Sequence, residues 1–258
     1  MKKLIFVLLL VCEGVWAQST ITSGGQGDVT NFASNPIFNN GIYIRQSGNG
    51  DVVGISQIGD RNLIGGINEQ FAKIQDGNNY ISIKQGTGNG GKNEIDLSVT
   101  GGSNNLYLVN GSDPAGVSGG NNFQLVNING FNNSITTSQT NSGGGGHFLE
   151  LGVTGNSNTV GIVQNNDGQK QLYASITGNL NTLTTTQTGT GQHQLIVNMS
   201  GNGNSATVNQ GGPIANTATI TLVNAGAPAS VDLFQSGGKN YSITQTCYTA
   251  CGTVTVRQ

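Results

Sequence analysis

Short runs of alternating apolar and polar residues recur along this chain at regular spacing. The clearest runs form two rows of apolar positions in the carboxyl-terminal half, and most successive members of a row are 23 residues apart. The first row is Leu149, Leu172, Leu195, Ala218 and Tyr241, and the second is Val160, Leu183, Ala206, Val231 and Val254. Further in-phase residues follow at i+2, and this alternation predicts β-strands with one buried face.

Both rows extend toward the amino terminus, where the loops between the runs are looser. The first row continues back through Phe123, Ile95, Ile67 and Ile42, and the second through Ile135, Leu106, Ile81 and Val53. This extension predicts about nine two-strand units between residues 42 and 258. More than one register fits residues 62–77, so the strand there is the least well specified.

The loops between the strands indicate tight bends. Sequences such as TGNSN and TGNLN carry Gly and Asn, which tolerate a left-handed backbone. A single strand pair has too little surface to bury alone, so consecutive pairs must stack. The sequence therefore predicts an all-β fold, a β-solenoid of about nine strand–turn–strand rungs with two facing parallel sheets and a period of about 23 residues.

A carboxamide occupies the third in-phase position of the second row in every unit. In-register stacking places these side chains above one another, as in the amide ladders of cross-β structures. We expect each of them to point inward and to hydrogen-bond the amides of the rungs above and below. The predicted ladder consists of Gln57, Gln85, Asn110, Gln139, Gln164, Gln187, Gln210, Gln235 and Gln258.

The amino terminus has the form of a secretory signal peptide. MKKLIFVLLLVCEGVWA has a basic start and an apolar run, and it predicts cleavage after Ala17 and secretion from the cell. Cys12 suggests a lipoprotein anchor as an alternative, but Val11 is a poor fit to the small residue expected before it. The predicted divisions are a signal peptide (1–17), a polar leader (18–41) and a repeat domain (42–258).

Composition narrows the class of protein. The chain has 42 Gly, 4 Pro and only 9% charged residues, which fits disorder as well as a repeat fold, but regular apolar periodicity favours the repeat. The net charge of −2 shows no excess of basic residues of the kind that binds nucleic acid. After the amino terminus, no stretch is long and apolar enough to cross a membrane as a helix.

Motifs that carry chemistry are weak in this sequence. GTGNGG at 86–91 matches a nucleotide-binding glycine pattern but opens no predicted helix. His147 and His193 both lie in turns, where we expect solvated loop histidines. Glu94 and Asp96 alternate with apolar residues, which predicts the solvent face of a strand without the carboxylate partner that paired acid–base catalysis requires. We therefore expect no catalytic site, no cofactor and no metal site.

Two cysteines follow the signal peptide, four positions apart in the loop TCYTACG. In an oxidising compartment, Cys247 and Cys251 are expected to close this loop with a disulfide. The alternative is two free thiols, and a zinc site lacks two further ligands.

Three segments resemble curlin repeats, which follow roughly Ser-x5-Gln-x-Gly-x2-Asn-x5-Gln. They are VGISQIGDRN at 53–62, GNSATVNQGG at 203–212 and YSITQT at 241–246. Gln57, Gly59 and Asn62 fall at the family spacing, whereas many first-row strands carry an apolar residue instead of Gln and the Ser is often missing. The resemblance covers nearly all of 42–258 and implies a secreted subunit, major or nucleating, of the extracellular amyloid fibres that bind cells together in biofilms.

The physical pattern also favours self-association. Gln258 falls in a strand position, which predicts an uncapped final rung whose unpaired N–H and C=O groups template another chain end to end. The resemblance further implies a nucleator subunit and an outer-membrane secretion pore as partners, with the leader 18–41 guiding export. A disordered tail or a loose cap is the alternative for this leader.

A second function remains open. A monomeric secreted solenoid could act as an adhesin that binds glycans, ice or a host surface through its outer faces. Regular threonine arrays would favour ice, and Thr184 and Thr186 are candidates. The equivalent outward positions elsewhere in the sequence hold Glu150, Tyr173 and Asp232, so we expect no flat repeating array.

Overall fold

Two facing β-sheets, built rung by rung, form the structure of this protein. The computed structural model describes residues 19–23, 27–31, 41–47, 50–58, 62–65, 72–86, 92–111, 121–141 and 145–258. Sheet 1 contains β2 (Gly27–Asn31), β3 (Gly41–Ser47), β5 (Asn62–Ile64), β6 (Ala72–Gln75), β8 (Asn93–Thr100), β10 (Asn122–Asn129), β12 (Phe148–Thr154), β14 (Lys170–Thr177), β16 (His193–Ile196), β17 (Met199–Ser200), β19 (Thr217–Asn224) and β21 (Asn240–Cys247). Sheet 2 contains β1 (Ser19–Ser23), β4 (Val52–Ile58), β7 (Tyr80–Gly86), β9 (Asn105–Gly111), β11 (Ser134–Thr140), β13 (Thr159–Asn165), β15 (Thr182–Gln187), β18 (Ser205–Gln210), β20 (Ser230–Gln235) and β22 (Thr253–Arg257).

The chain alternates between the sheets and advances one strand position per rung. In each rung a sheet-1 strand leads through turn 1 to a sheet-2 strand, and turn 2 leads to the next rung. From β3 onward every strand pairs in parallel with the strands of adjacent rungs, as in β12 with β14 and β13 with β15. The predicted β-solenoid with two parallel sheets is therefore confirmed.

The repeat is longer than the clearest part of the sequence predicts. Register partners are 23 residues apart between β12 and β14, but 25 apart between β10 and β12 and 29 apart between β8 and β10. The period is consequently about 25 residues. The strands keep their length, so the extra residues are taken up by the turns.

The core lies between the sheets and is lined by the in-phase apolar residues. In one rung, Leu149, Leu151 and Val153 of β12 face Val160 and Ile162 of β13, and all five are at most 2% exposed. Burying each such side chain stabilises the fold by about 1.5–3 kcal/mol relative to exposure. Because a rung contributes only a few of these residues, it depends on its neighbours for burial.

The predicted register is wrong by one residue in β10. Gln124, not Phe123, aligns with Leu149 and Ile95 and is fully buried. In the run FQLVNI both alternating sets are partly apolar, and the structure buries the set that contains Val126 and Ile128. The Gln124 side chain is accommodated because its Nε2 donates to Val109 O at 2.6 Å and its Oε1 accepts from Thr137 Oγ1 at 2.6 Å.

The ambiguous segment 62–77 forms two short strands. Ile64 of β5 pairs with Ile42 and Ile95, so it takes the first-row position predicted for Ile67. β6 continues the same rung, with Ile74 in register with Val99. Ile67 itself lies outside the described residues.

Two strands of the leader pair with the first rung. β1 pairs with β4 and β2 pairs with β3, and both pairings are antiparallel. The leader therefore places strands on the edge of each sheet that precedes β3 and β4. The predicted signal peptide, residues 1–17, lies outside the described residues, and among the described ones no helix could span a membrane.

Candidate functional site: stacked side-chain ladders and the exposed last rung

Glutamine side chains from adjacent sheet-2 strands are stacked inside the solenoid. From Gln139 to Gln210, each Nε2 donates to Oε1 of the next rung, at 2.7 Å from Gln139 to Gln164, 2.8 Å from Gln164 to Gln187 and 2.9 Å from Gln210 to Gln235. The other N–H crosses to sheet 1, as from Gln164 Nε2 to Phe148 O at 3.1 Å. This glutamine ladder therefore joins successive rungs and also ties the two sheets together.

Asn110 interrupts the glutamine ladder. Its side chain is one methylene shorter, and its Nδ2 donates instead to Glu94 O at 2.9 Å and to Asn122 O at 3.3 Å. Among the described side chains, the buried Oε1 of Gln139 and Oδ1 of Asn110 have no hydrogen-bond partner. Gln85 accepts from Gln57 at 2.8 Å but donates to Leu63 O rather than to the next rung. The ladder is thus split into a pair and a run of five.

We expect Asn110→Gln to stabilise the protein. The longer side chain can donate to Gln139 Oε1 and accept from Gln85 Nε2, and a buried polar atom without a partner costs about 1–3 kcal/mol. The free energy of unfolding from denaturant titration should rise by about that amount. Asn105→Gln makes the same change at an exposed position of the same strand and should leave the stability unchanged. Equal stability of the two variants would contradict the interrupted ladder.

The structure places Gln258 outside the ladder, contrary to prediction. Its side chain is exposed, and its Oε1 accepts from Tyr241 Oη. Gln235 Nε2 donates to Lys239 O at 2.9 Å instead. The described residues cover the last rung on one side only, so Gln258 lacks the enclosure that holds the other amides in position.

A second and longer ladder of stacked Asn side chains, with one Asp, lies in turn 1. It is not among the features predicted from the sequence. From Asp51 to Asn158, each Oδ1 accepts two bonds from the next rung, as Asn133 accepts from the N and Nδ2 of Asn158 at 3.0 Å each. From Asn79 to Asn181, each Nδ2 also donates to a turn glycine, such as Asn158 Nδ2 to Gly178 O at 2.8 Å. This turn-1 ladder consists of Asp51, Asn79, Asn104, Asn133, Asn158, Asn181 and Asn204, all at most 1% exposed.

The signal for the turn-1 ladder is present in the turn sequences. An Asn stands directly before each sheet-2 strand from β7 to β18, and in TGNSN, TGNLN and GNGN it is the second Asn. We interpreted these residues as formers of tight bends, and the residues just before the ladder do have positive φ, for example Ser157 (56°) and Leu180 (58°). Their left-handed backbone turns the following Asn side chain inward.

A third row of stacked side chains lies beside turn 2 and is more varied. It begins with asparagines that accept from the next rung, as Asn93 Oδ1 does from Asn122 Nδ2 at 3.2 Å. Further on, histidines take over as acceptors, and a lysine stands between them. This turn-2 row consists of Asn62, Asn93, Asn122, His147, Lys170, His193 and Asn216, all at most 1% exposed.

The prediction that the two histidines are solvated is wrong. His147 Nδ1 accepts from the backbone N of Lys170 at 3.3 Å, so the ring proton lies on Nε2, 3.1 Å from Thr140 O. His193 repeats this arrangement with the backbone N of Asn216 and with Thr188 O. Burial lowers the pKa of His147 to about 4, and it also lowers the pKa of His193. Both rings are therefore neutral at pH 7.

Lys170 is fully buried between the histidines. Its Nζ lies 2.8–2.9 Å from four carbonyl oxygens, those of Asp167, Gly168, Gly189 and Gly191. Burial lowers the pKa of Lys170 to about 8, while the Asp167 carboxylate raises it. The side chain is therefore charged at pH 7, and it joins turn 2 of one rung to turn 2 of the next.

The predicted solvent face around residue 95 is only partly correct. Glu94 is partly exposed and forms an ion pair with Lys92 at 2.7 Å, but Asp96 is only 4% exposed. Within the described ranges, no group of three or more His, Cys, Asp or Glu residues could hold a metal ion.

The last rung, β21 and β22, differs from the rungs before it. Within the described part of the chain, β21 pairs only with β19 and β22 only with β20. Its inward residues Tyr241, Ile243, Val254 and Val256 are only partly buried. A disulfide joins Cys247 and Cys251, whose Cα atoms are 5.8 Å apart, and closes the loop between the two strands. Among the described residues, no strand therefore pairs with the outer edge of this rung in either sheet.

No family model, curated protein or solved structure matches this chain.

Proposed function

We propose that this protein is a secreted structural subunit, or a nucleator, of extracellular fibres in which copies stack end to end. The open edge of the last rung is the observation that carries the proposal. The free N–H and C=O groups of β21 and β22 can pair with a strand of another copy, as exposed sheet edges commonly do. A stacked copy would also cover the four half-buried inward residues of this rung.

Apolar burial favours such stacking. Fully burying a large apolar side chain is worth about 1.5–3 kcal/mol. Ile243, Val254 and Val256 are already partly buried, so covering them gives only part of that amount each. Hydrogen bonds along both strands add to this, and together these contributions must exceed the entropy lost on association.

The hydrogen bonds of the two ladders hold adjacent rungs together, and they also have a fixed direction along the solenoid. In the glutamine ladder the donors point toward higher residue numbers, from Gln164 to Gln187. In the turn-1 ladder they point the opposite way, from Asn181 to Asn158. A copy that is added in the same orientation preserves both directions. An inverted copy would place donors opposite donors and acceptors opposite acceptors. We therefore propose a polar fibre with all subunits in one orientation.

The resemblance to curlin repeats makes the proposal more specific. Gln57 and Asn62, which fall at the family spacing, are both buried, and Gln57 Nε2 donates to Asn62 O at 3.3 Å. Gly59 lies outside the described residues. By this resemblance the fibre is a curli-like amyloid that supports cell adhesion and the biofilm matrix. A nucleator subunit and export by a signal peptide and an outer-membrane pore belong to the same proposal.

The purified chain from Gln18 is expected to form β-rich fibres that bind amyloid dyes. Electron microscopy, dye fluorescence and circular dichroism over several days at high micromolar concentration test this. A chain that keeps its β-rich spectrum but stays monomeric by light scattering would exclude fibre formation by this protein alone.

A second candidate function is a monomeric solenoid adhesin. Contrary to expectation, the strand register aligns one hydroxyl column on the outer face of sheet 2 over six rungs. The column consists of Ser134, Thr159, Thr182, Ser205, Ser230 and Thr253. Such a column favours binding of a regular hydroxylated surface. Co-sedimentation of the monomeric chain with polysaccharide, or its incorporation into ice, would support this alternative.

A further inference from the structure

We propose that the leader strands β1 and β2 are a removable cap on the edge that receives the next copy. This inference rests on the proposed end-to-end assembly and assigns its receiving edge. A new copy can then dock at the first rung only after the leader has left it.

The cap is visible in the strand pairing. β1 covers residues 53–57 of β4, from Ser23 opposite Val53 to Ser19 opposite Gln57. β2 covers residues 42–46 of β3, from Asn31 opposite Ile42 to Gly27 opposite Gln46. Both sheets of the first rung are therefore occupied on the side away from the second rung. These two pairings are antiparallel, unlike the rest of the solenoid.

The last rung of another copy fits the same edge in register. If β22 is placed on β4 in the parallel register of the other sheet-2 strands, Val254 lies opposite Val53 and Gln258 lies opposite Gln57. By the same rule β21 on β3 places Tyr241 opposite Ile42 and Ile243 opposite Ile44. Apolar residues thus meet apolar residues in both sheets, and a glutamine meets Gln57 at the end of its ladder.

The leader does not continue this pattern. In its antiparallel register Ser19 lies opposite Gln57, so the leader has no Asn or Gln at the register position of the ladder. Each leader strand is five residues long, whereas β3 and β4 are seven residues long. The leader competes because it is covalently attached and has a high effective concentration. A docked copy offers matching side chains in both sheets and, in sheet 1, the eight-residue strand β21, and it can displace the leader.

Locking the cap with a disulfide gives the main test. Thr22 and Gly54 are register partners, and a Cβ added at Gly54 meets nothing within 4 Å. The chain from Gln18 with Thr22→Cys and Gly54→Cys, oxidised and with its disulfides mapped, keeps an open last rung but a blocked first rung. We expect it to add through its last rung to the first-rung end of wild-type seeds and to stop growth at that end at substoichiometric amounts. Reduction should restore elongation.

Controls separate the lock from other effects. Wild type under the same reductant reports the effect of opening Cys247–Cys251, and each single cysteine variant reports the effect of the substitution. The reverse change, Ile21→Pro with Val29→Pro, removes strand donors from the leader. If the leader is detached in about one wild-type chain in ten at equilibrium, only that fraction can elongate seeds. The proline variant should then elongate seeds about tenfold faster than wild type.

The outcomes distinguish the two proposals. If wild type forms no fibres under any condition, the proposed function fails. If wild type forms fibres but the oxidised double-cysteine chain elongates like its reduced form, the leader is not a cap and only this inference is overturned. Equal elongation rates of wild type and the proline variant would overturn it as well.

Discussion

Replacing Gly155 with alanine is expected to lower the free energy of unfolding by about 3 kcal/mol or more. Gly155 has φ of 128°, a conformation that residues with a side chain rarely adopt. A Cβ at this position would lie 2.0 Å from Gly178 O and 2.7 Å from Gly178 C in the next rung. Both atoms belong to the backbone, so the turns of neighbouring rungs would have to separate. The same close approach recurs along turn 1 at Gly101, Gly130, Gly155 and Gly178.

Gly161→Ala is the matched control. The same substitution six residues further on adds a Cβ that meets nothing within 4 Å, on the outer face of β13. Its stability should stay within about 1 kcal/mol of wild type, with a small gain because glycine is unfavourable in strands. Denaturant midpoints of both variants, at equal slope, decide the question. If the two midpoints coincide, turn 1 does not pack as tightly as described.

Acid is expected to destabilise the solenoid through its buried histidines. The pKa of His147 is lowered to about 4 from 6.5, because burial disfavours the charged ring. Between these values the unfolded chain binds a proton that the folded chain does not, so stability falls as the pH falls through this range. The full contribution is about 3 kcal/mol, and about 2 kcal/mol of it should be lost by pH 5. The lowered pKa of His193 acts in the same direction.

His147→Asn isolates this contribution. Asparagine fills the same row at Asn122 and Asn216, and its Oδ1 can accept from the backbone N of Lys170. Lys170, the cation next to His147, has a pKa of about 8 and stays charged over the acid range. Unfolding free energies at pH 7.5, 6.5, 5.5 and 5 should therefore fall less steeply for the variant than for wild type. Parallel curves would show that His147 is accessible to protons in the folded state.

The alternation of side chains along the chain was sufficient to predict the architecture. Residues at i and i+2 share a strand face in any sheet, so the rows of Leu149 and Val160 already specify two strands per repeat. Their repetition implies parallel stacking, because a single rung cannot bury its own apolar face. The inward position of the glutamines follows from the same alternation, since Gln164 and Gln187 lie in phase with Val160 and Leu183.

Only the tertiary structure decided which residues are buried where the sequence pattern allows more than one answer. In β10 both faces are partly apolar, and the neighbouring strands select Gln124 for the core. His147 and His193 look like solvated turn residues in the sequence, but the next rung supplies a backbone N–H donor to each ring. Gln258 has the right phase for the glutamine ladder, but no rung among the described residues covers its outer side. Local pattern thus determined the strands, whereas contacts between rungs, set by turns of unequal length, determined which polar groups are buried and satisfied.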